Sequence, residues 1–121
     1  MTYKPGSSYQ LFPRDEAASG ISGYKRMQPP PFSLAEATVS AAVKAADGEV
    51  LLKAWISDAL GTTSLTAGTW AFSIYAALSS GAGDTTLKAR VYRRTSAGSE
   101  TELFNVTSAA FDDISAALVA F

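Results

Sequence analysis

The chain has 121 residues, of which 47% are hydrophobic and only 17% are charged, and its formal net charge is −1. That length suits one domain of ordinary size with an attached arm. Average soluble domains carry about 25% charged residues, so a partner is expected to cover part of this charge-poor surface. The sequence lacks Cys and His, which excludes disulfides, thiolate or imidazole metal sites, cysteine nucleophiles and Ser-His-Asp triads. The small net charge gives no global attraction to nucleic acid.

Residues 1–33 hold all five prolines of the chain and show no lasting hydrophobic period. Pro29-Pro30-Pro31 is typical of a stiff polyproline spacer. Aromatic residues are spaced along the segment, whereas disordered segments are usually poor in them. We therefore expect an extended arm that docks onto another subunit. The alternative is a flexible terminus that does not dock. The anchors predicted for this arm are Tyr3, Tyr9, Phe12, Tyr24 and Phe32.

The sequence shows no targeting or membrane signal. The first thirty residues include several charged side chains and no apolar core of a signal peptide. No run approaches the roughly 18 apolar residues of a membrane helix. We therefore expect neither secretion through a signal peptide nor a membrane partner.

Residues 34–121 contain no proline and mostly alternate apolar with polar side chains, which predicts β-strands. From Ala35 to Ala45 every second residue is apolar, which favours a strand, but Ser33 and Glu36 form a possible helix capping box. A helix therefore stays open for this stretch. Gly-containing turns at about ten-residue spacing indicate an antiparallel β-sandwich. Further strands are expected within 49–57, 64–66, 69–79, 85–94, 100–106 and 114–121, with Trp70 in the core and a hairpin loop at 96–99.

The last expected strand is almost wholly apolar from Ser115 to Phe121. A strand that is apolar on both faces is normally covered on both sides, and an exposed edge of this kind invites aggregation. Either the strand packs against another copy or partner, or the chain is a fragment whose continuation completes the sheet. For the first case we expect a homotrimer or a higher closed oligomer. Its interface is predicted at Leu118, Val119 and Phe121.

No residue pattern indicates catalysis, a cofactor or a metal. Asp112 and Asp113 are neighbours, so in a strand they would point to opposite faces and could not act as an acid–base pair. No phosphate-binding glycine loop or nucleophile motif is present. The chain is therefore predicted not to be an enzyme.

Two aromatic residues are candidate stacking platforms for a sugar ring. Trp55 lies on the polar face of its expected strand, and Tyr92 lies among arginines. The alternative for Trp55 is a core position on a second face. The alternative for the arginines is pairing with Glu100 and Glu102 across the hairpin, and nucleic-acid binding is not expected.

Three segments carry a resemblance to a known family: Leu65–Tyr75 (LTAGTWAFSIY), Thr86–Arg94 (TLKARVYRR) and Gly98–Phe104 (GSETELF). Over about residues 48–118 the chain resembles jelly-roll modules in structural proteins of tailed bacteriophages. The resemblance implies a jelly-roll type of antiparallel β-sandwich for residues 34–121, with trimerisation and a place in the virion after synthesis in the host cytoplasm. Such modules usually continue for several more strands, which favours the fragment alternative.

The function that the resemblance implies is that of a non-enzymatic capsid cement or decoration protein. It would oligomerise through its β-domain and clamp neighbouring subunits with its N-terminal arm. Its partners would be copies of itself and the major capsid protein, or tail and neck proteins if it is an adaptor or a fibre anchor. A carbohydrate-binding module that uses Trp55 or Tyr92 is the alternative from another class. The family has no catalytic residues to transfer.

Overall fold

A computed structural model describes residues 10–28, 38–44, 46, 48–62, 64–81 and 83–121. These ranges contain seven β-strands and no α-helix, which confirms the expected all-β class. Within them there is also no helix of the length and hydropathy needed to cross a membrane. The chain divides into two compact units, Met1–Ala67 and Gly68–Phe121, a different division from the one expected after residue 33.

The first unit contains a three-stranded sheet. Strands β1 (Phe12–Ala18) and β2 (Lys25–Gln28) pair antiparallel with an irregular register, and β3 (Trp55–Ser57) adds parallel to β2. Pro13 has no N–H to give to a ladder, and it is tolerated because β1 is an edge strand of this sheet. The described part of the expected arm is therefore extended, but it is paired with its own chain.

A turn stabilised by Ser19 joins β1 to β2. The Ser19 Oγ donates a hydrogen bond to the carbonyl oxygen of Tyr24 at 2.7 Å and accepts one from the Ile21 N–H at 3.1 Å. Gly20 and Gly23 have φ of 79° and 84°, which L-residues with a side chain rarely adopt. Ser19 and these glycines therefore close a hairpin that the sequence did not predict, and strands β1 and β2 pair within their own chain.

Two other expected strands are absent from the described residues. Residues 38–44 belong to neither a strand nor a helix, and neither do residues 64–66. The strand expected over 49–57 is reduced to β3. An alternating pattern makes a strand possible, but a ladder also needs a neighbouring strand in register, and these segments have none in the described structure. The spacer at 29–31 and the capping box at 33–36 lie outside the described residues.

The second unit contains two antiparallel pairs of strands. Strand β4 (Ser73–Ala76) pairs with β7 (Ala117–Ala120), and β5 (Lys88–Arg94) pairs with β6 (Glu100–Thr107). An isolated bridge joins Thr85 to Phe111. Each of the four strands predicted beyond residue 68 is present, although β4, β5 and β7 are shorter than expected.

The loop between β5 and β6 is closed by hydrogen bonds, as predicted for residues 96–99. The Thr95 N–H donates to the Ser99 carbonyl at 2.9 Å, and the Gly98 N–H donates to the Thr95 carbonyl at 2.9 Å. Gly98 has a φ of 93°. A Cβ at this position would lie 3.2 Å from Nη2 of Arg94. The turn therefore requires glycine for its backbone conformation, and a larger residue would also displace the end of the Arg94 side chain slightly.

Ser108 extends the β5–β6 ladder by one more pair. Its N–H donates to the Leu87 carbonyl at 2.8 Å, and its Oγ accepts from the Leu87 N–H at 3.0 Å. The hydroxyl itself donates to the Ala109 carbonyl at 2.7 Å. Ser108 is the only buried polar residue in the described part of the chain, and its burial is compatible with these three hydrogen bonds.

Replacing Gly98 by alanine is expected to destabilise the second unit. A side chain at this positive φ costs about 1–2 kcal/mol of unfolding free energy. Urea titration followed by circular dichroism measures the loss. Gly68→Ala is the matched control, because Gly68 has no positive φ and no atom near the added Cβ. Equal losses in both variants would contradict the strain assigned to Gly98.

Replacing Ser108 by alanine is expected to leave the Leu87 N–H without its acceptor. The loss is about 1–3 kcal/mol, the usual cost of a buried donor left unsatisfied. Hydrogen exchange followed by NMR should show that the Leu87 amide loses protection, while Ser96→Ala in the exposed loop leaves it unchanged. An amide that stays protected in Ser108→Ala would refute this role of the hydroxyl.

Candidate assembly surface

The β4–β7 sheet has one covered and one open face. Ile74 lies opposite Val119, and Tyr75 lies opposite Leu118. Because successive side chains in a strand point to opposite faces, these two pairs occupy different faces. Val119 is 9% and Ile74 37% exposed, whereas Leu118 is 55% and Tyr75 73% exposed. The register therefore divides an apolar sheet into a more covered side and a more exposed side.

Two phenylalanines extend the covered face beyond the strand ends. The backbones of Phe72 and Phe121 exchange two hydrogen bonds of 2.8 and 3.0 Å, which continue the ladder by one pair. Their rings stack with centroids 5.5 Å apart and an interplanar angle of 25°. Such ring pairs contribute about 0.5–1.5 kcal/mol beyond their area burial. Val119 and this ring pair are thus the packed centre of the β4–β7 sheet.

The open face consists of Tyr75 and Leu118 with the small exposed residues Ser73 and Ala120, and we call it the Tyr75–Leu118 face. Neither strand has a charged residue. The sequence carries no charged side chain from 59 to 83 or from 114 to 121. An exposed apolar surface formed by two strands without a charged side chain is unusual in a protein that is monomeric in water.

The β5–β6 hairpin also has two faces, and one of them is apolar. Ala89 pairs with Val106 and Val91 with Phe104 on that face. Trp70 packs edge-on against Phe104, with ring centroids 5.1 Å apart and an interplanar angle of 67°. Trp70 was expected in the core but is 46% exposed. It covers the hairpin from outside, so its core assignment was wrong.

The other face of the hairpin is charged and internally paired. A bulge between Val91 and Tyr92 shifts the register so that Arg94 lies opposite Glu100. Arg94 forms an ion pair with Glu100, and Arg90 forms one with Glu102 at 2.9 Å. The structure confirms the cross-strand pairing considered for these arginines. Their charges are balanced within the hairpin.

The three residues predicted as one oligomer interface are divided between the two faces of the sheet. Leu118 is on the open face, whereas Val119 and Phe121 are on the covered face. The sequence analysis did not select Tyr75, which is the most exposed aromatic residue of the second unit. Two features identify Tyr75. The sequence shows that both strands lack charge, and the structure places Tyr75 opposite Leu118.

The two stacking candidates differ in exposure. Tyr92 is 49% exposed on the hairpin. Trp55 is half-buried in β3, and its indole Nε1 is buried without a hydrogen-bond partner in the described structure. A stacking platform needs an open ring face, so the geometry fits Tyr92 better than Trp55.

Two of the predicted arm anchors lie in the described residues. Phe12 begins β1 and is exposed, and Tyr24 is half-buried at the end of the β1–β2 turn. Tyr24 also lines a cavity of about 270 Å³ with Lys25 and Leu52 among its neighbours. The anchors Tyr3, Tyr9 and Phe32 lie outside the described residues.

Comparison of the chain with protein-family models, curated proteins and solved structures finds no match.

Shortening two adjacent residues of β7 tests the assignment of the two faces. Val119→Ala removes two buried carbons and is expected to lower the unfolding free energy by roughly 1.5 kcal/mol. Leu118→Ala is expected to change it by less than about 0.5 kcal/mol, as for other exposed positions. Urea titrations at low micromolar protein concentration measure both values. A larger loss in Leu118→Ala would reverse the faces assigned here.

Proposed function

We propose that the chain is a non-enzymatic structural protein that assembles with copies of itself and with larger partner proteins. The observation that carries the proposal is the Tyr75–Leu118 face, which is apolar, exposed and free of charge. Contiguous apolar surface of this kind marks an interaction site in a soluble protein.

The thin interior of the second unit supports the same proposal. Among the described residues, Val119 is the only hydrophobic residue that is buried. The large hydrophobic residues of this unit that remain exposed are Trp70, Ile74, Tyr75, Tyr92, Leu103, Ile114 and Leu118. Small units bury little apolar surface alone and usually need further stabilisation. Association supplies the missing burial, because each copy covers apolar side chains of another.

A place in the virion of a tailed bacteriophage is the finer part of the proposal, and it rests on the sequence resemblance. Of the three resembling segments, Thr86–Arg94 contains β5, Gly98–Phe104 includes the start of β6, and Leu65–Tyr75 overlaps β4 only in its last three residues. We assign the chain to the capsid surface as a cement or decoration protein that binds the major capsid protein. A tail or neck adaptor is the second placement. In either setting a jelly-roll type of sandwich is closed by further strands or by neighbouring copies.

The N-terminal segment is proposed to clamp a neighbouring subunit. Its described part presents Phe12 on β1, an edge strand of the first sheet. A partner protein can add a strand at the edge of a sheet, since main-chain hydrogen bonds supply affinity there. The clamp therefore acts beside a hairpin fixed to β3 and not from a free arm.

Carbohydrate binding is retained as a second candidate because Tyr92 is exposed next to arginines. A single aromatic platform gives weak and non-selective contact to sugars. An array of immobilised glycans separates the two candidates. Saturable binding that Tyr92→Ala abolishes would favour the lectin-like function over the structural one.

The structural function is tested by mass in solution and by attachment to particles. The full chain is expected to sediment as an oligomer at high concentration and to co-sediment with capsids of the virus that encodes it. The reason is that assembled shells present many weak sites at once. Bovine serum albumin mixed with the same capsids is the control for trapping. A chain that stays in the supernatant and remains monomeric would refute the proposed function.

A further inference from the structure

We propose that the Tyr75–Leu118 face binds the same face of a second copy about a two-fold axis. This inference rests on the proposed function, since it specifies how copies of the chain contact one another. The sequence predicts a homotrimer or a higher closed oligomer through Leu118, Val119 and Phe121. The structure favours a different contact, made by the open face alone.

A charged surface is an unfavourable partner for the Tyr75–Leu118 face. A charged side chain placed on this face would lose its hydration and would find no ion of opposite sign, because neither β4 nor β7 carries one. Burying an uncompensated charge is strongly unfavourable. The surface that covers this face must therefore itself be uncharged.

One sheet of the chain offers an uncharged surface. Of the three sheets in the described residues, β4–β7 is the only one without a charged residue in either strand. The hairpin presents the ion pairs of Arg90 and Arg94. In the first unit β2 contributes Lys25 and Arg26, with Arg26 3.5 Å from Asp58. The opposite, apolar face of the hairpin is packed against Trp70. A second copy thus offers one open and uncharged sheet face, which is the same one.

A contact between identical faces is isologous and has two-fold symmetry. A three-fold ring would need two different complementary faces, and the other apolar sheet face of this unit, on the hairpin, is packed against Trp70. If the two-fold axis passes between Tyr75 and Leu118, Tyr75 of each copy contacts Leu118 of the partner subunit, so the same contact is made twice. The phenol ring then packs on an aliphatic side chain while its hydroxyl stays in contact with solvent at the edge of the interface.

The size of the face predicts a weak contact. Strands of four residues span only about 13 Å, so the face alone is far smaller than the roughly 800 Å² that a stable interface takes from each partner. Pairing should therefore depend on concentration over about 1 µM to 1 mM. Such a contact becomes effective when other contacts hold many copies together.

Sedimentation equilibrium of the full chain over that concentration range tests the inference. The wild type should pass from one to two chain masses. Leu118→Lys should remain a monomer, with its dissociation constant raised at least tenfold, because it places an unpaired charge at the contact. Leu51→Lys is the matched control: it adds the same charge at a residue that is 78% exposed in the first unit, and it should dimerise as the wild type does. Circular dichroism establishes that all three are folded.

The outcomes separate the inference from the proposed function. A trimer, or an oligomer that Leu118→Lys leaves intact, overturns the two-fold contact while self-assembly stands. A wild type that stays monomeric throughout overturns the inference, and co-sedimentation with capsids then decides the proposed function separately.

Disulfide trapping tests the geometry directly, because the chain has no native cysteine. Tyr75→Cys protein mixed with Leu118→Cys protein should give a mixed covalent dimer under mild oxidation, identified by its mass. The mixture of Leu51→Cys with Leu118→Cys should give several-fold less of its mixed dimer. Equal yields in the two mixtures would overturn the proposed pairing.

Discussion

The register between β4 and β7 is the constraint on which the second unit depends. It places Val119 on the same side as the stacked Phe72 and Phe121 rings and leaves Leu118 on the other side. A shift by one residue would exchange the two sets, burying the present open face and exposing the present centre. Because both sets are apolar, hydrophobicity alone does not choose between them. The Phe72–Phe121 pair, joined by backbone and ring contacts, favours the observed register.

Charge is distributed unevenly between the two strand pairs of this unit. The hairpin carries paired arginines and glutamates on its outer face, whereas the β4–β7 sheet carries none. Cross-strand ion pairs at exposed positions contribute little to stability, about 0–1 kcal/mol each. Their larger effect is to keep one face in water and to discourage association there. Together the two surfaces give the unit a side suited to solvent and a side suited to a protein.

The sequence predicted the strands of the second unit better than those of the first. For β5 and β6 the alternation is regular and the connecting loop contains Gly98, so periodicity and turn chemistry agree. In the first unit the hairpin of β1 and β2 was missed, because the prolines and the lack of a hydrophobic period in residues 1–33 indicated an extended arm. The pairing of β2 with β3 joins residues that are distant in sequence, so no local pattern in residues 1–33 predicts it. The strand expected over 35–45 is absent from residues 38–44, because an alternating pattern also needs a neighbouring strand and none lies beside these residues in the described structure.

The assembly surface was predictable in part. The apolar character of residues 115–121 identified the correct strand, but Leu118, Val119 and Phe121 were treated as one set. Period-two alternation already separates Leu118 from the other two, yet it does not say which set is covered. Which set is covered depends on Phe72 and Ile74, which contact β7 only in the folded chain. The exposure of Tyr75 likewise depends on the pairing of β4 with β7.

The separation in sequence between β4 and β7 has a consequence for the order of folding. The β5–β6 hairpin closes a short loop, and hairpins form within about 1–10 µs. The β4–β7 pair must bring together residues on either side of that entire hairpin, which carries a larger loop-closure cost. The hairpin is therefore expected to precede the β4–β7 pair. Tyr75 and Leu118 then come side by side only late in folding, so a chain still being folded does not present the complete surface to its neighbours.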